Sequence, residues 1–576
     1  MSGFTFLYRP IISEKLNSLV LGNGEAILRP DFEIFQYTDN KFYKDTVFEE
    51  TDQYIVVLEG VILNKEVIER RYSNQNWSNL IWKLYLEIGE TFYACFRGSF
   101  CGLLFDKHKK KWFIFNDQLS SQNLYYYFDL TCVIVSTQIT DIYKVLKKNN
   151  IRYSLNVESS YMLLSYGYML GNKTLCDKIV KLLPGSYLAF GSDLKVTVTE
   201  YYKLPISTID YSSAITEDLI EELDLKFRQA VRRQFDKDIE YGKRHLVALS
   251  GGLDSRMTSW VAHEMGYKDQ INYTFSQTNY LDEAIAKKIS SDLKHEWIFK
   301  ALDNGLFLKD IDEINSITGG NVLYYGLAHS NSFFRLIDFS NLGLIHSGQL
   351  GDVIVGSYLK SLDEKMLKFP EGAYSSKLLS KIPLNDRIIT SLEDLEYNMI
   401  YSRGLNGINN ALVLIQKYSE TMSPFYDVDF FEFCLNIPIN LRVGHKLYKQ
   451  WIIRKYPAAA EYIWENTRLR ITSRIQTISL GGRQIPIKKV LPILFNKIGL
   501  SNIYSKPAYS MNPLDYWYRT NEDLRRFQDT YFQENIACMS NSKELMDDCI
   551  SLYQDGNAIE KNQILTLLSA VKLFFA

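Results

Sequence analysis

Residues 244–258 read Arg-His-Leu-Val-Ala-Leu-Ser-Gly-Gly-Leu-Asp-Ser-Arg-Met-Thr: a short apolar run, a glycine pair, then the start of a helical pattern. That order limits the fold more than any other feature of the chain. A buried strand that delivers a glycine turn to a helix N-terminus is the building unit of an α/β layer around a parallel sheet. Gly251 and Gly252 lack Cβ atoms, so backbone N–H groups there can close on an anion. The hydroxyls of Ser250 and Ser255 add donors beside the positive end of the helix dipole. The loop therefore reads as a phosphate cradle. It has no Gly-Lys-Ser/Thr to hold a terminal phosphate, and it carries Asp254 instead. A carboxylate among phosphates needs a cation, and Mg2+, which takes one or two carboxylates plus phosphate oxygens, meets that need.

A chain of 576 residues is longer than one compact domain usually holds, so two or more are expected. The first 200 residues carry short β-type runs, among them Gln53–Leu58, Trp112–Phe115, Tyr125–Phe128 and Cys132–Val135, separated by polar turns. They predict an α+β sheet domain. The stretch 203–213 contains proline and serines, after which Thr216-Glu-Asp opens an amphipathic run with Leu219, Ile220, Leu223 and Phe227 at helical spacing. We place one domain at 1–205 and the second at 212–576. Beyond the boundary, helical segments alternate with apolar strands at Leu246–Leu249, Ile271–Phe275 and Leu342–His346, the pattern of an α/β domain with a parallel sheet, and the C-terminal part reads as helical.

Lys+Arg 65 against Asp+Glu 67 leaves a net charge of -2, so nothing points to nucleic acid. The seven cysteines are scattered without a CxxC pair, which excludes a zinc or disulfide framework. The N-terminal residues lack the pattern of a secretory signal, and no stretch reaches the roughly 18 apolar residues of a membrane span. The expectation is a soluble, cytoplasmic protein with no membrane contact, whose partners are small molecules or proteins.

The loop Ser250–Ser255 resembles the pyrophosphate-binding loop of the ATP-pyrophosphatase superfamily. Downstream, His346-Ser-Gly-Gln-Leu-Gly-Asp-Val-Ile-Val-Gly-Ser-Tyr358 is similar to the Ser-Gly-Glu-Gly-x-Asp-Glu-x-x-Gly-Gly-Tyr segment of asparagine synthetases. Tyr273–Ser276 followed by Asp282-Glu-Ala, Ser423-Pro-Phe-Tyr-Asp427, and Lys449–Arg454 with Pro457 resemble further landmarks of that family, in family order. The resemblance covers about residues 215–475 and implies ATP and Mg2+. On it, Ser250, Gly251, Gly252, Asp254, Ser255, Thr274, Phe275, Ser347 and Gly348 bind the nucleotide, and Asp254 and Asp352 hold the metal. It also implies adenylation of a small-molecule or peptide carboxylate, release of pyrophosphate and transfer of the acyl group to an amine or ammonia.

The first half resembles the family's N-terminal-nucleophile (Ntn) glutaminase domain, through Arg97–Phe100 with Asp106, Asn116–Tyr126 and Leu183–Tyr187. The implied fold is an Ntn-hydrolase-like α+β domain followed by an α/β ATP-pyrophosphatase domain. Its chemistry departs from the family's. Glutamine hydrolysis there uses a cysteine at the second position, which is Ser2 here. A serine hydroxyl without a dedicated base is a much weaker nucleophile. Glu59 replaces an asparagine that supplies amide donors, and Arg97 stands where an acid meets the substrate ammonium. A degenerate glutaminase domain is expected.

The synthetase site differs too. Gln349 occupies the position of the family's Glu, or of the tyrosine of β-lactam synthetases, and cannot act as a base. The lysine expected after Pro457 falls at Asn466, which leaves Arg468 or Arg470 to stabilise charge on the α-phosphate. Relatives without the cysteine include β-lactam synthetases and lasso peptide cyclases, and sugar-acid amidation is a further fit. Two other functions stay open: a glutamine-hydrolysing asparagine synthetase, and a non-catalytic interaction protein.

Overall fold

The runs of the first 200 residues fold into strands β1 (Gly3–Tyr8), β2 (Glu25–Leu28), β3 (Phe32–Tyr37), β4 (Val47–Glu50), β5 (Tyr54–Ile62), β6 (Gly98–Asp106), β7 (Lys111–Asn116), β8 (Tyr125–Phe128), β9 (Val133–Ser136), β10 (Val180–Lys181), β11 (Ser186–Phe190) and β12 (Thr197–Glu200). The computed structural model describes residues 2–10, 24–37, 41–72, 76–358, 362, 372–383, 391–473, 477–480, 483–486 and 510–576. The strands form two antiparallel sheets, in the orders β10-β8-β9-β1-β3-β2 and β12-β11-β7-β6-β5-β4.

The sheets face each other. Phe4, Phe6, Ile34 and Val135 of the first meet Ile55, Val57, Leu103 and Trp112 of the second. Their outer faces are also covered. The helix Trp77–Ile88 lays Leu80, Ile81 and Leu84 on Val56 and Leu58, and the helix Ile139–Lys148 lays Ile142 and Leu146 on Leu7 and Ile134. This is a four-layer α-β-β-α arrangement. It explains why β5 is buried along its whole length and, Glu59 and Gly60 apart, reads as an apolar run instead of alternating.

In the second half the expected strand and helix starts are present. Thr216 caps the helix Glu217–Glu240, its hydroxyl accepting from Leu219 N at 3.2 Å. A parallel sheet follows, built from β13 (Arg244–Ala248), β14 (Gln270–Ser276), β15 (Glu296–Ala301), β16 (Leu342–His346) and β17 (Thr421–Met422) in the order β15-β14-β13-β16-β17. The order reverses between β13 and β16, and ligands of open parallel sheets bind in the crevice at that switch point.

Residues 201–216 carry no helix or strand. The two halves are nonetheless knitted together. The helix Val157–Tyr166 shares a core with the C-terminal helix Ala558–Ala570, and Phe574 stacks on Tyr143 with ring centroids 4.7 Å apart.

Lys181, on β10, is buried and donates to Asn410 Oδ1 of the second half at 2.5 Å. Burial pulls its pKa down to about 7. A lysine released on unfolding takes up protons to about pH 10.4, so the unfolded state binds more protons between pH 7 and 10 and stability rises with pH across that window. Lys181→Met is expected to flatten this rise and to stabilise the protein near neutral pH by on the order of 1–2 kcal/mol, read from melting curves at pH 6, 7.5 and 9. A wild-type curve flat from pH 7 to 9 would show that the amine is solvated.

Candidate functional site

The loop after β13 is built around its own hydroxyls. Ser250 Oγ lies 2.9 Å from Ser255 Oγ, and Ser255 Oγ accepts from Ser250 N at 3.0 Å. Gly251 N donates to Asp282 Oδ1 at 2.8 Å. A Cβ on Gly251 would lie 2.7 Å from the Glu465 side chain, so the residue must be glycine for the loop to seat. The helix Leu253–Glu264 begins at Gly252, whose lack of a side chain leaves the first-turn N–H groups uncapped by any side chain and available to an anion.

The turn after β16 closes on this loop. Asp352 N donates to Asp254 Oδ2 at 3.0 Å, and a Cβ on Gly348 would lie 2.3 Å from Ser255 N. Ser347, Gly348 and Asp352 are thereby brought against Ser250–Ser255, although more than 90 residues separate Asp254 from Asp352. Asp254 is half-buried and Asp352 exposed. Burial, and then the neighbouring Asp352 carboxylate, push Asp254 well above the ordinary carboxylate range, against the pull of the Tyr448 hydroxyl beside it. Two carboxylates crowded at an anion cradle are the donor set that Mg2+ bridges to phosphate oxygens.

Arg256 holds the far wall. It is fully buried, and burial lowers its pKa to about 10. Its guanidinium donates to the carbonyls of Gly251 at 3.2 Å, Ala459 at 3.1 Å and Ile463 at 2.7 Å. That brings the segment 459–468 onto the loop: Glu465 N donates to Gly251 O at 3.0 Å, and Tyr280 OH to Glu465 Oε1 at 2.7 Å. Arg468, with a left-handed φ of 59°, lies close enough for its charge to reach Tyr280. Arg470 instead points out to Glu461, at 2.5 Å and exposed.

Thr274 is buried, its hydroxyl donating to Leu249 O at 2.7 Å, and Phe275 packs against His329 with centroids 4.9 Å apart. Gln349 lines a cavity between the halves together with Arg97, Ser121, Ser347, Ser423 and Asp427. His245 and His346 both reach Asp238 Oδ2 at 2.7 Å, which ties the start of β13 and the end of β16 to the helix Glu217–Glu240. Arg256, Tyr448, Glu465 and Asp238 are not singled out by the sequence. The one signal for Arg256 is a charge inside an otherwise apolar helix face.

In the first half, Ser2 Oγ lies 3.5 Å from Glu420 Oε1, and Gln122 Nε2 donates to Glu420 Oε2 at 2.8 Å. Glu59 is buried and accepts from Gln36 Nε2 at 2.5 Å. Arg97 turns away from this pocket and donates through Nε to Asp429 Oδ1 at 3.0 Å, joining a network in which Arg233 pairs with Asp427 and Asp429 at 2.8 and 2.7 Å.

Residues 44–202 match the model of a glutamine amidotransferase domain and residues 222–407 that of asparagine synthase. Together, in this order, the two matches support the asparagine synthetase superfamily. A putative glutamine-hydrolysing asparagine synthetase 2 of Methanocaldococcus jannaschii is 25% identical over 431 residues, covering 72% of this chain and 76% of its own length. Among solved structures, glutamine phosphoribosylpyrophosphate amidotransferase from B. subtilis aligns over 46% of this chain and 58% of its own, at 10% identity and a TM-score of 0.23. A structure described as the allosteric regulatory enzyme of purine biosynthesis covers 52% and 74%, at 8% identity and the same TM-score of 0.23. At such scores neither carries weight, and the architecture rests on the strand orders above. The asparagine synthase match and the Methanocaldococcus jannaschii relative support a synthetase whose reaction class is ATP-dependent amidation. No helix of the described residues is long and apolar enough to cross a membrane.

Proposed function

We propose that the second half, residues 212–576, adenylates a carboxylate with ATP and Mg2+ and passes the acyl group to an amine or ammonia, and that the first half, residues 1–205, hydrolyses no glutamine. The observation that carries the reading is the convergence of Asp254 and Asp352 on the Ser250–Ser255 cradle. Mg2+ held by these two acids would neutralise charge on the phosphates. Ser250, Ser255 and the helix N-terminus hold the pyrophosphoryl end in place. A carboxylate oxygen attacks the α-phosphorus, the bond to the β-phosphate oxygen breaks, and pyrophosphate leaves with the electron pair. Arg468, nearer the loop than Arg470, is the cation we assign to the α-phosphate. The nitrogen nucleophile then attacks the acyl carbon, AMP departs, and the nitrogen loses a proton. Gln349 can orient that nucleophile by hydrogen bonds but cannot take its proton. The test is product identity: AMP and pyrophosphate in equal amounts, with no ADP.

Ser2 faces a glutamate carboxylate, Glu59 places an acid where amide donors are needed, and Arg97 is spent on Asp429. The rival reading, a glutamine-hydrolysing enzyme, is favoured by the match of residues 44–202 to the amidotransferase model. The expected result is no glutamate released from glutamine above the rate of the Ser2→Ala variant. A steady glutaminase rate that Ser2→Ala abolishes would decide for the rival.

A further inference from the structure

Among the described residues two arginines are fully buried, Arg256 and Arg442. Arg442 pairs with the Glu396 carboxylate at 2.7 Å. Arg256 has only neutral partners: Nη2 donates to Gly251 O and Ile463 O at 3.2 and 2.7 Å, and Nη1 to Ala459 O and Tyr462 O at 3.1 and 3.3 Å. Its Nε finds no acceptor. A buried cation held by carbonyl dipoles alone is costly, and a nearby anion would offset that cost. The carbonyls of 459, 462 and 463 fix where the guanidinium sits, and from there it reaches the glycine pair of the loop.

Gly251 O is drawn to this wall twice, by Arg256 and by Glu465 N at 3.0 Å. A trans peptide points its C=O and the following N–H in opposite directions. Gly252 N–H is therefore turned away from the wall, and it donates to Ser250 Oγ at 3.1 Å, beside Ser255 Oγ. A peptide between two glycines meets little steric resistance to rotation, and its reversed orientation would set a carbonyl oxygen against the phosphates. A carbonyl bonded to a cation also makes the N–H of the same peptide a stronger donor.

We propose that Arg256 is a positioning residue for pyrophosphate, locking the Gly251–Gly252 peptide with its N–H toward the Ser250–Ser255 cradle and strengthening that donor. This rests on the adenylation reading above, in which the pyrophosphoryl end of ATP lies at the loop. Arg256 acts through the peptide and from behind it. No covalent change is involved.

Titration calorimetry of the full-length protein with Mg2+ and pyrophosphate, ATP or adenosine tests it. Arg256→Met keeps an unbranched apolar stem and removes the charge. It should weaken pyrophosphate and ATP by about 10- to 100-fold, the range of a hydrogen bond to a charged group. Adenosine, which lacks the pyrophosphoryl end, should bind as it does to the parent. Arg256→Lys keeps the charge without the planar fork and should recover part of the lost pyrophosphate affinity. Unchanged pyrophosphate affinity in Arg256→Met, or pyrophosphate and adenosine weakened alike, overturns the assignment alone. Should Arg256→Met fail to fold, Arg256→Lys decides: weaker pyrophosphate with adenosine unchanged supports the assignment, and no change, or equal weakening of both, overturns it. A parent protein that binds neither pyrophosphate nor ATP overturns the adenylation reading and this assignment with it.

Discussion

Pyrophosphate–ATP exchange should fall at least about 1,000-fold in Asp254→Asn and nearly as far in Asp352→Asn, while Gln349→Ala keeps most of it. The carboxylate of Asp254 is crowded by burial and by Asp352, and a bound cation would favour its charged form. An amide keeps the shape and can still accept from Asp352 N through its oxygen, so the lattice of the two turns survives while the charge that holds Mg2+ is gone. The substitution also removes a like-charge repulsion, and the metal-free variant is expected to melt no lower than the parent. A lower melting temperature with lost exchange would mean that the turn has collapsed instead. Gln349 is set apart from this pair: it lines the cavity between the halves, its main-chain N donates to Ser347 Oγ at 3.3 Å, and its carbonyl accepts from Ser423 Oγ at 3.0 Å. Exchange lost as completely in Gln349→Ala as in Asp254→Asn would put Gln349 in the adenylation machinery and undo the division between the two half-reactions.

The second large effect concerns stability. Glu396→Gln is expected to cost about 3–5 kcal/mol, because it strands a buried arginine. Arg442 is fully buried and every donor is used: Nε on Ile437 O at 3.0 Å, Nη1 on Ile354 O and Glu396 Oε1 at 3.1 and 2.8 Å, Nη2 on Ser207 Oγ and Glu396 Oε2 at 2.8 and 2.7 Å. The pair anchors the connecting segment through Ser207 and supports the turn behind Asp352 through Ile354. Loss of the negative partner should lower the melting temperature by on the order of 10 °C. The double variant Arg442→Met, Glu396→Leu should recover most of that, since two apolar side chains leave no unpaired charge. A Glu396→Gln protein that melts within 2 °C of the parent would show that water reaches the arginine.

Arg97 shows how far one chain can be read without its fold. The sequence marks it as wrong for a glutamine pocket, because a cation there repels an ammonium. That it has taken a new partner, Asp429, lies 332 residues away and is invisible to any local pattern. Strand β15 was not anticipated for a different reason. It lies at the sheet edge with side chains that are exposed or half-exposed, so its sequence carries no clean apolar run.

Local order along the chain determined the Ser250–Ser255 cradle. The strand, the glycine pair, Asp254 and the helix start are contiguous, and backbone conformation, helix dipole and donor placement are short-range effects that contiguous residues fix. The apolar periodicities likewise settled the two kinds of sheet and their sequence in the chain. Tertiary structure alone decided what surrounds the cradle. Arg256 finds the carbonyls of 459 and 463, Asp238 collects His245 and His346, and the C-terminal helix Ala558–Ala570 joins a core with Val157–Tyr166. Each is a meeting of groups from separate elements, set by how the layers close over their apolar faces. The burial that makes each meeting matter exists only once those layers have packed.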